Sequence, residues 1–286
     1  MTTGTRVKSA KQGRGSMITI EKIRTYGWAE AIRGMRNPMN SWGLMDSWSA
    51  CDTPCLRDED FDKYKQDGVI PPLAEWSDTC PCTSSCDTQA AFYIGKNDLN
   101  LMKRLRNAGV DHRKYLRMIV VYMDITAPMY WWKEFDTYKV GTVANSCSTM
   151  HKIHAKEFSV DDFSREYIWD DDIEHPQTQL VGTEDNPVYL DDAEILIYTV
   201  GMLNELRELY IKTKDKRYWY KMIQLLPSSY NQKRTVMLNY EVLNNMYQAR
   251  KNHKLDEWRQ FCKVCETLPY AQYLITSTDL LITAKE

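Results

Sequence analysis

The chain has 286 residues, 43% hydrophobic and 27% charged, which is apolar material enough for a substantial core and excludes global disorder. Lys+Arg 37 against Asp+Glu 39 leaves a net charge of −2, so no overall basic field draws the chain to a nucleic-acid polymer or an anionic lipid surface. No apolar run approaches the ~20 residues that span a bilayer and no apolar signal region opens the chain, so no membrane association is expected and the cytoplasm is the expected compartment.

Residues 1–16 hold Arg6, Lys8, Lys11 and Arg14 with no acid. They read as a flexible basic tail, with a phosphate-contacting arm as the alternative, and Met17 opens a single domain running to residue 286. Residues 51–86 are rich in Asp, Pro, Ser and Thr and read as an insertion carrying Cys51, Cys55, Cys80, Cys82 and Cys86. Four of these thiols could hold zinc or an iron–sulfur cluster, but CxC and CxxxC spacing departs from the paired CxxC pattern. Redox pairing and unligated thiols therefore stay open.

Asn97-Asp98 predicts a helix start, with Leu99, Met102 and Leu105 on one face and Gly109 as the stop. MIVVYMDIT, residues 118–126, predicts a buried strand ending at Pro128. Residues 157–194 form a second, acidic insertion: Asp161, Asp162, Asp170, Asp171, Asp172, Glu174, Asp191 and Asp192 face a single base, Arg165. A solvated loop and a hard-cation site are both open readings there. The last third reads as helical, with apolar stripes at Ile195, Tyr198, Met202, Leu206 and Leu209, at Val242, Leu243, Met246 and Tyr247, and at Leu255, Trp258, Cys262 and Cys265. Pro227 separates the first two.

Two blocks carry a resemblance. HRKYLRMIVVYMDITAPMYWWKEF (112–135) has a histidine, an amphipathic turn, a strand, an Ala-Pro step and an aromatic pair. LLPSSYNQKRTVMLNYEVLNNMYQAR (225–250) has Leu-Pro, a spacer ending in Asn239, and a helix closing on Arg250, with Glu257-Trp258-Arg259 beyond. In this order they resemble the flavin-dependent thymidylate synthases, over residues 96–151 and 195–268. The resemblance implies an α/β (α+β) fold with a mixed sheet, flanking helices and a helical C-terminal third.

It also implies an activity: one-carbon transfer to a deoxyuridylate-type pyrimidine nucleotide from methylene-tetrahydrofolate, with FAD as carrier and NADPH as reductant. No protein nucleophile takes part in that scheme, and the implied assembly is a homotetramer with flavin between subunits. The family's Arg-His-Arg triplet falls on Thr137, Tyr138 and Lys139, so one positive charge of three remains. The following Ser and Asn offsets fall on Thr142 and Ala144, with Asn145 next, and the last two on Cys147 and Thr149. An Arg-Gln pair aligns with Lys133 and Glu134, and a helix arginine with Glu241.

By this register His112, Tyr138, Lys139, Thr142, Asn145 and Asn239 are the implied cofactor contacts. Lys133, Glu134, Ser146, Cys147, His151, Glu241 and Arg250 are the implied substrate contacts, with Arg234 and Arg259 as further phosphate candidates. Exchanging arginine for glutamate turns a charge-assisted phosphate bond into repulsion. A non-catalytic nucleotide-binding or assembly protein on the same scaffold is accordingly the second reading. Residues 137–153 suit either a polar pocket or a capped helix and loop, and Tyr130, Trp131 and Trp132 either a ring-stacking surface or core.

Overall fold

A computed structural model describes residues 17–49, 92–148, 151–170, 172–183 and 185–277. The basic tail and all five clustered cysteines lie outside the described residues. The elements run β1 (Thr19–Tyr26), α1 (Trp28–Arg36), β2 (Trp48–Ser49), β3 (Phe92–Tyr93), α2 (Lys96–Asn107), β4 (Val120–Pro128), α3 (Met129–Phe135) and β5 (Val143–Ser146). They continue with β6 (Thr178–Thr183), β7 (Asn186–Leu190), α4 (Asp192–Thr213), α5 (Lys216–Leu225), β8 (Asn231–Asn239), α6 (Tyr240–Arg250), α7 (Asp256–Glu266) and α8 (Ala271–Leu274). The chain forms two compact units, one of Ile20–Ile125, Lys133–Ser146 and Arg234–Glu286, the other of Met1–Thr19, Thr126–Trp132 and Cys147–Lys233.

A four-stranded sheet runs in the order β1, β4, β8, β5. β5 is antiparallel to β8, with Val143 opposite Met237 and Ser146 opposite Arg234. In β4, Val121, Met123, Ile125 and Ala127 are buried on one face of the pleat, while on the other Tyr122 is exposed and Asp124 is buried. The strand begins two residues later than its apolar run and takes in Ala127 and Pro128, because a proline is tolerated at a strand end. β8 corrects the expectation of an all-helical last third. Its period-two signal is confined to Val236 and Leu238 behind a polar start, too short to stand out between helices.

α2 starts at Lys96, one residue before the expected Asn97-Asp98, and its first amides are capped by a distant residue: the Asp46 carboxylate accepts those of Asn97 and Asp98 at 2.8 and 3.0 Å. Asp98 instead turns into the core, fully buried, and accepts from Arg36 Nε at 2.6 Å, from the Ser47 hydroxyl at 2.7 Å and from the Ser47 and Asp46 amides at 2.9 and 3.0 Å. Burial pushes the Asp98 carboxyl up, but those donors hold it below the usual carboxylate range. Leu99 and Met102 are buried as the stripe predicts, and Gly109 sits just past the helix at φ +113.

Trp258, Cys262 and Cys265 of α7 are buried, and burial pushes the Cys262 thiol up to about 12, so these cysteines pack as neutral thiols. In the smaller unit, Ile153, Phe158, Phe163, Leu196, Val200, Leu203, Leu206 and Met222 form a core against α4 and α5. Of the α4 stripe read from sequence only Leu206 is in it; Ile195, Tyr198, Met202 and Leu209 are exposed, because the helix is apolar on two faces. Trp131 and Trp132 are buried, and the Trp132 indole donates to the Gln232 carbonyl at 2.9 Å, which is the core reading of that pair.

Several acids of residues 157–194 act as helix caps. Ser159 and Asp162 form one capping box and Asp191 and Glu194 another, at the start of α4. Among the described residues no group of three or more His, Cys, Asp or Glu is placed to hold a metal. No helix there is long and apolar enough to cross a membrane.

Candidate functional site

The site is built within the larger unit from the end of α3, the loop that follows it, and the facing side of α6 and α7. The loop needs a glycine: Gly141 has φ +77, and a Cβ there would lie 2.5 Å from Asn239 Nδ2. Asn239 is the N-cap of α6, its Oδ1 accepting from the Val242 amide at 3.0 Å while Nδ2 donates to the Gly141 carbonyl at 3.4 Å. One amide side chain thus caps the helix and fastens the loop. Gly141→Ala is expected to cost about 1–2 kcal/mol, from the left-handed φ and the disturbed cap, and to appear as a lowered urea midpoint with unchanged m.

That fastening presents Tyr138 and Lys139 to α6. The Thr142 hydroxyl donates to the Tyr138 carbonyl and the Thr137 hydroxyl to the Glu134 carbonyl at 2.7 Å, closing the turn. Thr137, Tyr138, Lys139 and Val140 with Val242 and Asn245 line an open cleft of about 240 Å³. Lys139 is exposed.

Beside the cleft stands a charged and aromatic cluster. Arg250 Nη1 lies 2.7 Å from Glu134 Oε2, and its Nε donates to the Tyr138 hydroxyl at 2.9 Å. The guanidinium lies 4.8 Å from the Trp258 ring and 5.6 Å from that of Tyr138, within cation–π range of both. Trp258 Nε1 donates to the same Glu134 oxygen at 2.9 Å, and His253 Nε2 is 3.5 Å from it. Glu134, which occupies a position where the resembled pattern has glutamine, therefore neutralises the arginine best in register with it.

Glu241 is likewise engaged. It is buried, ion-paired with Arg117, and 3.7 Å from Arg113 Nε. Arg113 Nη2 donates to Asn245 Oδ1, on the cleft wall, at 3.3 Å. Two arginines of the turn before β4 around one carboxylate leave a net positive charge there. Trp258, Asn245, Arg113 and Arg117 were missed by motif register. The signal available was an acid where the pattern has a base, since a buried carboxylate demands a cation nearby.

The remaining residues named from sequence lie as follows. Lys133 is exposed, and so are Asn145 and Ser146 on β5, opposite Thr235 and Arg234. Exposed His112 opens the 3-10 turn Arg113–Met118 without a side-chain cap. Arg234 pairs with Asp136 at 2.7 Å. Arg259 pairs with Asp256 and donates to the His253 and Lys254 carbonyls at 2.7 and 3.1 Å. Cys147 and His151 belong to the other unit, and both are exposed.

No known family profile matches the sequence, and no curated protein matches it. Solved structures do. A flavin-dependent thymidylate synthase ThyX from Helicobacter pylori, complexed with FAD and dUMP, aligns with TM-score 0.52 and 16% identity, covering 89% of this chain and 98% of that one. A second structure of Helicobacter pylori thymidylate synthase X with FAD and dUMP aligns with TM-score 0.50 and 14% identity over 90% and 96%. The UMP/dUMP methylase PolB from Streptomyces cacaoi, bound with 5-Br dUMP, gives 0.45 and 12% over 91% and 93%. The likeness to the thymidylate synthases is one of fold, and the α/β architecture is thymidylate synthase-like.

Proposed function

We propose that this chain binds a deoxyuridylate-type pyrimidine nucleotide by its phosphate in the cleft beside Lys139, and that it transfers a one-carbon unit to that nucleotide from methylene-tetrahydrofolate, with FAD as carrier and NADPH as reductant. The supporting observation is the cleft itself: a cation, hydroxyls, an amide and an aromatic edge converge on it in a thymidylate synthase-like fold whose similar structures hold FAD and dUMP. Lys139 supplies the charge, the Asn245 amide a neutral hydrogen bond, and Val242 an apolar wall.

These donors fit FAD in kind and only in part in volume. At about 240 Å³ the cleft is smaller than the ~300–1,000 Å³ of ordinary ligand pockets, so it takes a phosphate and part of a ring. The remaining walls would come from further subunits of a homotetramer. Bound flavin would supply the carrier and redox chemistry. The chain's own part is orientation and charge: Lys139 holds the anion, Asn239 keeps the loop on α6, and Trp258 and Glu134 fix the Arg250 guanidinium.

One observation favours the second reading, a nucleotide-binding protein without catalysis: Arg250 is already neutralised by Glu134, which leaves Lys139, among the described residues, as the single cationic side chain lining the cleft. The test is the visible absorbance of the purified protein with and without added FAD, alongside calorimetric titration with dUMP. A flavin spectrum with dUMP binding supports the enzyme; dUMP binding to a colourless protein that takes up no FAD supports the second reading. Failure to bind either sinks both. Lys139→Ala is expected to weaken dUMP binding by about 10-fold or more, since a charge-assisted bond contributes ~1.5–3 kcal/mol. Glu134→Gln, which releases Arg250, is expected to strengthen it.

A further inference from the structure

The helix α4 is apolar on two sides, and the described residues cover one of them. Leu196, Val200, Leu203 and Leu206 face the core of the smaller unit. On another face Ile195, Tyr198, Met202 and Leu209 are 37%, 63%, 44% and 38% exposed. Their spacing of three, four and seven residues is the a/d seam of a two-helix pairing, carried for most of a 22-residue helix about 33 Å long. A helix apolar all round belongs to one buried on both sides.

We propose that this face of α4 is where two copies of the chain pair, antiparallel about a two-fold axis near Met202. The charges along the seam select that arrangement. The start of α4 carries Asp191 and Glu194, and its end Lys212 and Lys214. An antiparallel dyad at Met202 sets the acidic end of one copy beside the basic end of the other and brings Ile195 against the partner subunit's Leu209. It also keeps exposed Glu205, which interrupts the stripe, away from its own copy. A parallel pairing would stack Glu205 on Glu205, acid on acid at one end and base on base at the other. The helix dipoles also oppose favourably only when antiparallel. A face complementary to itself in shape and charge fits a second copy, the isologous contact of two-fold oligomers.

The pairing stands apart from the nucleotide reading and is tested without ligand. In full-length protein, Met202→Cys is expected to form a disulfide-linked dimer on mild oxidation, in excess of the parent's background, because the dyad places residue 202 opposite itself. Ile197→Cys, about 140° round the helix at ~100° per residue, is the control and is expected to stay at background. Tyr198→Glu with Met202→Glu is expected to at least halve the mass measured by light scattering. Equal crosslinking at 197 and 202, or none at 202, overturns the proposal even if the double variant fails to fold. A parent that is monomeric by light scattering also overturns it and assigns the stripe to another occupant.

Discussion

Asp98→Ala is expected to destabilise the protein by about 3–5 kcal/mol, read as a large fall in the urea midpoint, because breaking a buried ion pair strands the remaining charge. The stranded group is Arg36, itself buried, whose Nε would lose its acceptor 2.6 Å away. The Ser47 and Asp46 amides would lose theirs at the same time, loosening the segment whose Asp46 caps α2. The same carboxylate gives a pH signature. Its folded pKa is depressed, so its contribution is fully present above the unfolded value of ~3.9 and disappears as pH falls through the folded value. Acid unfolding of the parent should be steeper below about pH 4 than that of Asp98→Asn, in which this proton uptake is absent. Equal slopes would remove Asp98 from the acid transition.

Trp258→Ala is expected to cost about 3–5 kcal/mol, the range for emptying a buried aromatic site. Trp258 has no exposed surface, lies near-parallel to Phe135 with ring centroids 6.5 Å apart, and meets Phe261 edge-on at 5.7 Å. Its loss would also remove the indole donor from Glu134 and one of the two rings on Arg250. Trp258→Phe keeps most of the packing and loses the N–H, so it should cost only about 1–2 kcal/mol. A phenylalanine variant as damaged as the alanine one would shift the weight from packing to the Glu134 hydrogen bond.

Legibility followed the length and distinctness of each pattern. β4 was read from a continuous run of β-branched and large apolar residues, and α2 from a regular stripe, each displaced at an end by tertiary partners such as Asp46. β8 was overlooked because two alternating apolar positions do not outweigh the helices around them, although this strand joins β4 to β5. On α4 periodicity marked an apolar stripe, but a helix with two such stripes gives no internal indication of which is covered. At the site, the motif register named Tyr138, Lys139, Glu134 and Arg250, which the structure brings together at and beside one cleft. It could not show that Glu134 and Arg250 spend their charges on each other, because that pairing depends on a separation of 116 residues closing in space.

The placement of β8 between β4 and β5 has a bearing on how the protein matures. More than 100 residues separate β4 from β8, one of its two neighbours in the sheet, so a nascent chain that has made β4 must grow by that length before that edge is satisfied. Until then an apolar strand is open to strangers. Such long-range pairing predicts slow refolding from denaturant and aggregation that worsens with concentration, and in a cell a dependence on chaperones during translation.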